Sequence, residues 1–278
     1  MITKILINIL PRKLRRKLRK IYYLPSDIIH GLFGQRKKMI PSKSQIFVGG
    51  GDFEEVGNQF LAHFKEFGNI TPESRILDVG CGIGRMAVPL TKFLNAKGSY
   101  HGFDIVPEGI DWCKKKISAD YPNFHFQLVD IFNKDYNPKG KFMASEYKFP
   151  YENDYFDFIS LTSVFTHMLP ADIENYLNEI YRVLKKGKGI CLITYFLLND
   201  ESKKLMELNK SVLDFKYNFE NYRTTNKKIP EAVIAFEEDY IVKLYSRIGF
   251  RLIEPIHYGS FCGRNNYLSY QDIIIASK

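Results

Sequence analysis

From residue 75 onward the chain alternates short apolar runs with stretches of helical period. "RILDVG" (75–80), "GSYHGFDIV" (98–106), "NFHFQLVDI" (123–131), "YFDFISLTSVF" (155–165) and "ICLITYFLL" (190–198) read as strands. "GRMAVPLTKFLN" (84–95) and "PEGIDWCKKKIS" (107–118) read as helices between them. The clearest helix is "PADIENYLNEIYRVLKKGKG" (170–189). Pro170 and acids open it, Ile173, Tyr176, Leu177, Ile180, Tyr181 and Leu184 form one stripe, and lysines with Gly187 close it. Strands and helices that alternate in this way specify an α/β fold, a parallel sheet covered on both faces.

The pattern changes toward the end. "DYIVKLYSRIGFRLIEPIHYG" (239–259) reads as helix, turn at Gly249 and strand, and "YQDIIIASK" (270–278) as a terminal strand. Two intervals, about 133–153 and 199–238, are long and rich in Tyr, Phe, Asn and Lys, as lids, binding loops or poorly ordered segments are. Ahead of the core, "PRKLRRKLRKIYYLP" (11–25) places Leu14, Leu18, Ile21 and Tyr22 at helical spacing, between two prolines that start and stop a short helix.

Charge divides the chain further. Of a formal net charge of +9, residues 1–43 hold twelve Lys/Arg against one acid, Asp27, leaving 28 basic and 30 acidic residues for the rest. The chain therefore splits into a basic amphipathic arm (1–43) and a body (44–278) of ordinary charge. Such an arm suits an anionic membrane surface, where each Lys/Arg contributes about 1 kcal/mol; a packed or solvated extension, a protein contact and RNA binding are the other readings. No apolar run approaches the roughly 20 residues that cross a bilayer, and "ILINIL" precedes the basic cluster, unlike a secretory signal. Cys81, Cys113, Cys191 and Cys262 are far apart, which suggests neither a zinc site nor a disulfide framework. The expectation is a metal-free cytoplasmic protein, peripheral on the inner membrane face through residues 1–38.

The candidate chemistry lies in "RILDVGCGIGRM" (75–86). Gly80, Gly82 and Gly84 let a strand turn sharply into a helix and let a ligand approach the backbone. The spacing is not G-x-G-x-x-G and no phosphate-binding Lys follows. Asp78 at the strand end would repel pyrophosphate but hold a cationic amino group, directly or through water. Asp104 ends the next strand, where a carboxylate accepts hydrogen bonds from both ribose hydroxyls. Asp130, or the neighbouring Ile131 backbone, ends the third and can meet an exocyclic adenine amine. Amino acid, ribose and adenine together describe S-adenosylmethionine.

Residues about 72–199 resemble class I S-adenosylmethionine-dependent methyltransferases in five ordered blocks: "ILDVGCGIGRMAVPL", "GFDIVPEGIDWC", "FQLVDI", "FDFISLTSVFTHML" and "YLNEIYRVLKKGKGICLIT". Lys186 and Lys188 replace the family's Pro and Gly in the last. The resemblance implies a Rossmann-like, seven-stranded, mainly parallel sheet whose last strand is antiparallel. It implies that Asp78, Gly80, Gly82 and Gly84 flank the methionine end, that Asp104 holds the ribose, and that Asp130 with Ile131 faces the adenine, with Cys81 and Ile105 also in the cofactor set. Thr162 and Ser163, after the fourth strand, complete the cofactor set; Cys81 reads as a small packing residue within its loop.

The same region, "LTSVFTHML" (161–169), is where the family meets its acceptor, and it lacks the N/D-P-P-Y/F pattern of many enzymes acting on planar nitrogens. His167 is the candidate general base, unless it only hydrogen-bonds a backbone or borders the cofactor. His257 and Tyr258 are secondary candidates. "IFVGGGDFEEVGNQFLAHF" (46–64) either folds across the cofactor pocket, covering it with Phe47 and Phe53, or is a flexible connection. "DFKYNFENYR" and "YGSFCGRNNY" offer aromatic and polar groups for sugars or planar substrates. A resemblance to bacterial methyltransferase-domain proteins of glycan or envelope biosynthesis points to O-methylation of a glycan, lipid-linked or small-molecule acceptor at the membrane surface. RNA methylation and a cofactor-binding membrane adaptor without turnover are the alternatives.

Overall fold

A computed structural model describes residues 12–32 and 38–278. Helix α1 (Arg12–Leu32) precedes α2 (Phe53–Gly68), and the core then runs β1 (Arg75–Val79), α3 (Ala87–Leu90), β2 (Ser99–Asp104), α4 (Pro107–Cys113), β3 (Phe124–Leu128), β4 (Phe158–Leu161), α5 (Pro170–Val183) and β5 (Ile190–Tyr195). The remaining elements are β6 (Leu197–Leu198), α6 (Asp200–Glu207), β7 (Tyr217–Asn218), β8 (Tyr222–Thr224), β9 (Ile234–Glu237), α7 (Glu238–Ile248), β10 (Arg251–Leu252) and β11 (Asp272–Ser277).

The main sheet has seven strands in the order β10-β11-β5-β4-β1-β2-β3. β1 to β5 pair in parallel, and β11 pairs antiparallel with both β5 and β10. This is the Rossmann-like sheet with a reversed last strand. Alternation along each strand sends side chains to two cores. Leu77, Val79 and Phe103 join α5 and α7 residues on one face; Ile76, Tyr100 and Phe158 join α2 and α4 residues on the other. β1 lies inside the sheet between β2 and β4, so its carboxyl end opens at the reversal of strand order, where such sheets bind ligands.

Four local expectations change. The helix expected over 84–95 shrinks to Ala87–Leu90 within a run of turns; Pro89 donates no backbone hydrogen bond, and Thr91 Oγ1 instead donates to the Val88 carbonyl at 2.7 Å. The strand expected across "GFRLIEPIHYG" is only two residues of β10 plus one bridge, His257 to Ile273. Segment 199–238 is not an irregular interval: it supplies α6 and, with β6, a second sheet of order β6-β9-β8-β7. The arm helix does not stop at Pro25 but runs through it to Leu32. "ILINIL" lies outside the described residues. Among those described, no helix is long and apolar enough to cross a membrane.

Candidate active site

The three glycines after β1 all have left-handed φ values: +80° at Gly80, +58° at Gly82 and +76° at Gly84. A Cβ on Gly80 would stand 2.3 Å from Val164 Cγ2, and one on Gly82 would stand 2.5 Å from Val48 Cγ1. No side chain fits there. The loop is sewn to β2: Gly80 and Cys81 amides donate to the Phe103 carbonyl at 2.9 and 3.1 Å, and the Gly82 amide donates to Asp104 Oδ2 at 2.8 Å. Asp104 Oδ1 accepts from the Val106 amide at 2.8 Å. The Asp104 carboxylate is thereby fixed by two amides at the wall of the cavity described below.

Asp78, expected to hold an amino group directly or through water, is buried beneath the loop and does not line the cavity described below. It shares a face of β1 with Ile76, so it points beneath the loop, 2% exposed. Tyr100 Oη donates to its Oδ2 at 2.6 Å and Ser160 Oγ to its Oδ1 at 3.2 Å. Burial pushes this carboxyl up to about 6 against the opposing pull of those two hydrogen bonds. Asp78 therefore ties β1 to β2 and β4 under the loop.

Above the loop is a cavity of about 370 Å³, in the range of small-molecule sites. It collects Gly80, Gly82, Asp104, Ile105, Ile131, Thr162, Ser163 and His167 from the sequence-derived set. Asp78, Cys81, Gly84 and Asp130 do not line it. Cys81 is buried against Gly102, with its thiol raised well above the usual range by burial. Gly84 packs on Cys113 and Ile117. Asp130 is exposed, its Oδ1 3.4 Å from Asn137 Nδ2 and its carbonyl accepting from the Lys141 and Phe142 amides. At this strand end the cavity wall comes from Ile131 rather than from the acid.

The loop after β4 is held in an unusual backbone state. Ser163 has φ +59°, and its amide donates to Thr194 Oγ1 at 2.8 Å, whose hydroxyl donates to Gln271 Oε1 at 2.6 Å. Thr162 Oγ1 is buried at the cavity with no hydrogen-bond partner in the structure, an orphaned polar atom that a ligand would satisfy. His167 closes a short turn, Phe165–His167. Its Nδ1 lies 3.0 Å from the Glu231 carbonyl, and its own carbonyl accepts from Asn133 Nδ2 at 3.3 Å. Because a carbonyl only accepts, Nδ1 carries the proton and Nε2 is the basic nitrogen of the neutral ring.

The stretch before α2 does cover the cavity, though not as expected in detail. Phe47, Val48 and Gly49 line it, whereas Phe53 is buried outside it under Arg85. Arg85, which follows the glycine loop, holds this cover: Nη1 donates to the Gly50 carbonyl at 3.1 Å, and Nη2 to Val48 and Gly49 carbonyls, each at 3.2 Å. Burial lowers its affinity for the proton. Asp52 then caps α2, its Oδ1 accepting from Glu54 and Glu55 amides at 2.9 Å.

Sequence reasoning missed Arg85 and the wall built by Phe132, Asn133, Tyr136, Met168 and Tyr176. The unusual length of the 133–153 interval was a signal for Asn133 and Tyr136 alone. His257 and Tyr258 are outside the cavity: His257 packs on Phe67 at 4.5 Å between ring centres, and Tyr258 Oη donates to Glu238 at 3.0 Å. "DFKYNFENYR" and "YGSFCGRNNY" also lie outside it. Phe219 stacks on Tyr222, and Arg264 is buried between Glu201 and Asp272. Among the described residues, no three or more His, Cys, Asp or Glu side chains converge as a metal site.

A glycine loop after β1, an amide-fixed acid on the next strand and a cofactor-sized cavity define an α/β protein of the nucleoside-cofactor class. The methyltransferase-domain family matches residues 70–239, and the chain belongs to it, among the class I S-adenosylmethionine-dependent methyltransferases. The sterol 24-C-methyltransferase of Schizosaccharomyces pombe is 28% identical over 185 residues, 66% of this chain and 42% of that protein. The ubiquinone/menaquinone biosynthesis C-methyltransferase of Wigglesworthia glossinidia brevipalpis is 28% identical over 148 residues, 53% and 50% of the two chains. The tRNA N(3)-cytidine methyltransferase of Gallus gallus is 26% identical over 144 residues, 51% and 36%. The chain thus spans half or less of the length of these relatives. In fold it is similar to a Pyrococcus horikoshii protein (TM-score 0.56, 15% identity, 84% of this chain and 94% of that one). A SAM-dependent methyltransferase from Methanosarcina mazei is also similar (TM-score 0.53, 21% identity, 78% and 96%).

Proposed function

We propose that the protein is an S-adenosylmethionine-dependent methyltransferase acting on a hydroxyl of a glycan, lipid-linked or small-molecule acceptor at the membrane surface. The observation that carries the hydroxyl is His167, a cavity-lining imidazole whose Nδ1 is occupied by the Glu231 carbonyl, so that Nε2 is the proton acceptor.

The residues present fit the cofactor. Asp104 would accept the ribose hydroxyls, the Gly80–Gly82 turn leaves room for the amino-acid end, Ile131 would border the adenine, and Thr162 Oγ1 would gain the partner it lacks. S-adenosylmethionine, when bound, supplies an electrophilic methyl group. The chain's own contribution is to hold the acceptor oxygen in line and to take its proton at His167 Nε2. Phe47 and Val48, latched by Arg85, keep water from that space.

Calorimetric binding of S-adenosylmethionine followed by radiolabelled methyl transfer into fractionated lipid-glycan and RNA pools tests this. Label in the lipid-glycan pool supports it. Label in RNA transfers the proposal to the activity named for the Gallus gallus relative, and binding without any label leaves a cofactor-binding adaptor.

A further inference from the structure

Helix α1 is docked the opposite way round from an ordinary surface helix. Its inward residues are polar. Asp27 is buried, and its carboxylate accepts from the backbone amides of Lys43 at 3.1 Å and Ser44 at 3.0 Å. Two turns earlier, Arg19 Nε donates to the Lys43 carbonyl at 3.2 Å, and its guanidinium lies 5.3 Å from the ring centre of Tyr23. Arg19, Tyr23 and Asp27 follow at intervals of four along one side.

The apolar residues stand on the outside. Leu18, Ile21, Tyr22, Ile28 and Ile29 are all exposed, Ile21 by 69% and Tyr22 by 77%. Their spacing forms one stripe about three turns long. Amphipathic surface helices normally turn that stripe to the core, so a stripe left outside needs an apolar medium beside it.

Charge identifies the medium. The arm carries twelve Lys/Arg, and its one acid, Asp27, is the side chain turned away from the exposed face. We propose that α1 lies in the surface of a bilayer containing anionic phospholipid, with the stripe among the acyl chains and the cations at the phosphates. The docking deepens the membrane-surface part of the functional reading, but vesicle binding itself requires no methyl transfer. The body-facing side of α1 borders the reaction space. A cleft of about 160 Å³ behind α1 is lined by Arg19, Lys20, Ser44, Gln45 and Phe47 among others, and Phe47 is equally a wall of the cofactor cavity. The side of α1 opposite the stripe is thus one side chain, Phe47, away from the site.

Sedimentation of the full chain with vesicles of phosphatidylcholine alone, or with about one-third phosphatidylglycerol, tests the proposal. Binding is expected to be about tenfold or more stronger on the anionic vesicles and to weaken with salt. Ile21→Asp and, as a separate variant, Ile28→Asp should each lower it by about tenfold while leaving thermal unfolding and cofactor affinity unchanged. Equal or absent binding on the two vesicle types would overturn the proposal, as would variants that bind like the parent. A lipid-free dimer abolished by Ile21→Asp would also overturn it, since it would assign the stripe to a second copy of the chain.

Discussion

The Glu231 carbonyl accepts a hydrogen bond from His167 Nδ1 at 3.0 Å, joining a turn after the fourth strand to a segment 64 residues later. One backbone oxygen thus sets the tautomer of the ring that faces the cavity. His167→Ala is expected to lower turnover by about 10²-fold to 10⁴-fold. Calorimetry should show the cofactor dissociation constant unchanged. Full residual turnover would remove His167 as the base.

Asp104 stands between the Gly82 and Val106 amides, so its removal frees the glycine loop and, on the proposed cofactor placement, deletes the ribose acceptor. Asp104→Ala should weaken S-adenosylmethionine binding by about 2–3 kcal/mol, as charged hydrogen bonds do. An unaltered dissociation constant would mean that the ribose lies elsewhere.

Arg85 makes three hydrogen bonds to the carbonyls of residues 48–50 from a buried position. Arg85→Met should cost about 1.5–3 kcal/mol of stability, measured by urea unfolding, and also lower cofactor affinity by releasing Phe47 and Val48. Arg85→Lys should recover only part of either loss, because a single ammonium cannot match a forked donor. A variant that loses stability and keeps affinity would confine Arg85 to folding.

Two buried groups should give opposing pH dependence. Asp78 is raised by burial to about 6 in the folded protein, against about 3.9 unfolded. Its contribution is therefore full below about pH 4 and lost as pH rises to about 6, by about 3 kcal/mol. His101 is lowered to about 4, by burial first and then by His125 and Arg75. Its contribution is full above about 6.5 and is lost as pH falls toward 4. In urea unfolding between pH 4 and 7, Asp78→Asn should steepen the acid loss of stability and His101→Phe should lessen it. The reverse pattern would refute both assignments.

Much of the architecture was legible because it is local. Period-two apolar runs and period-3.6 stripes, such as Ile173 to Leu184, depend only on neighbours in the chain, and the glycines after β1 answer to a backbone turn within the same segment. The small sheet that residues 199–238 form with β6 was not legible. Its strands are two to four residues long and are made by pairing β6 with β9, at Leu197 with Phe236, across a long sequence separation.

The sequence by itself determined the class of the fold, the methyltransferase family, the acids at successive strand ends and the basic arm. Only tertiary packing decided how each of these is used. Asp78 and Asp104 both lie at strand ends, yet the pleat turns one to Tyr100 and Ser160 beneath the loop and leaves the other beside the cavity. The stripe of α1 has the same helical period whichever way it faces, and its outward orientation follows from Asp27 finding the amides of Lys43 and Ser44. Period is set by local backbone geometry, whereas direction is set by partners distant in the chain.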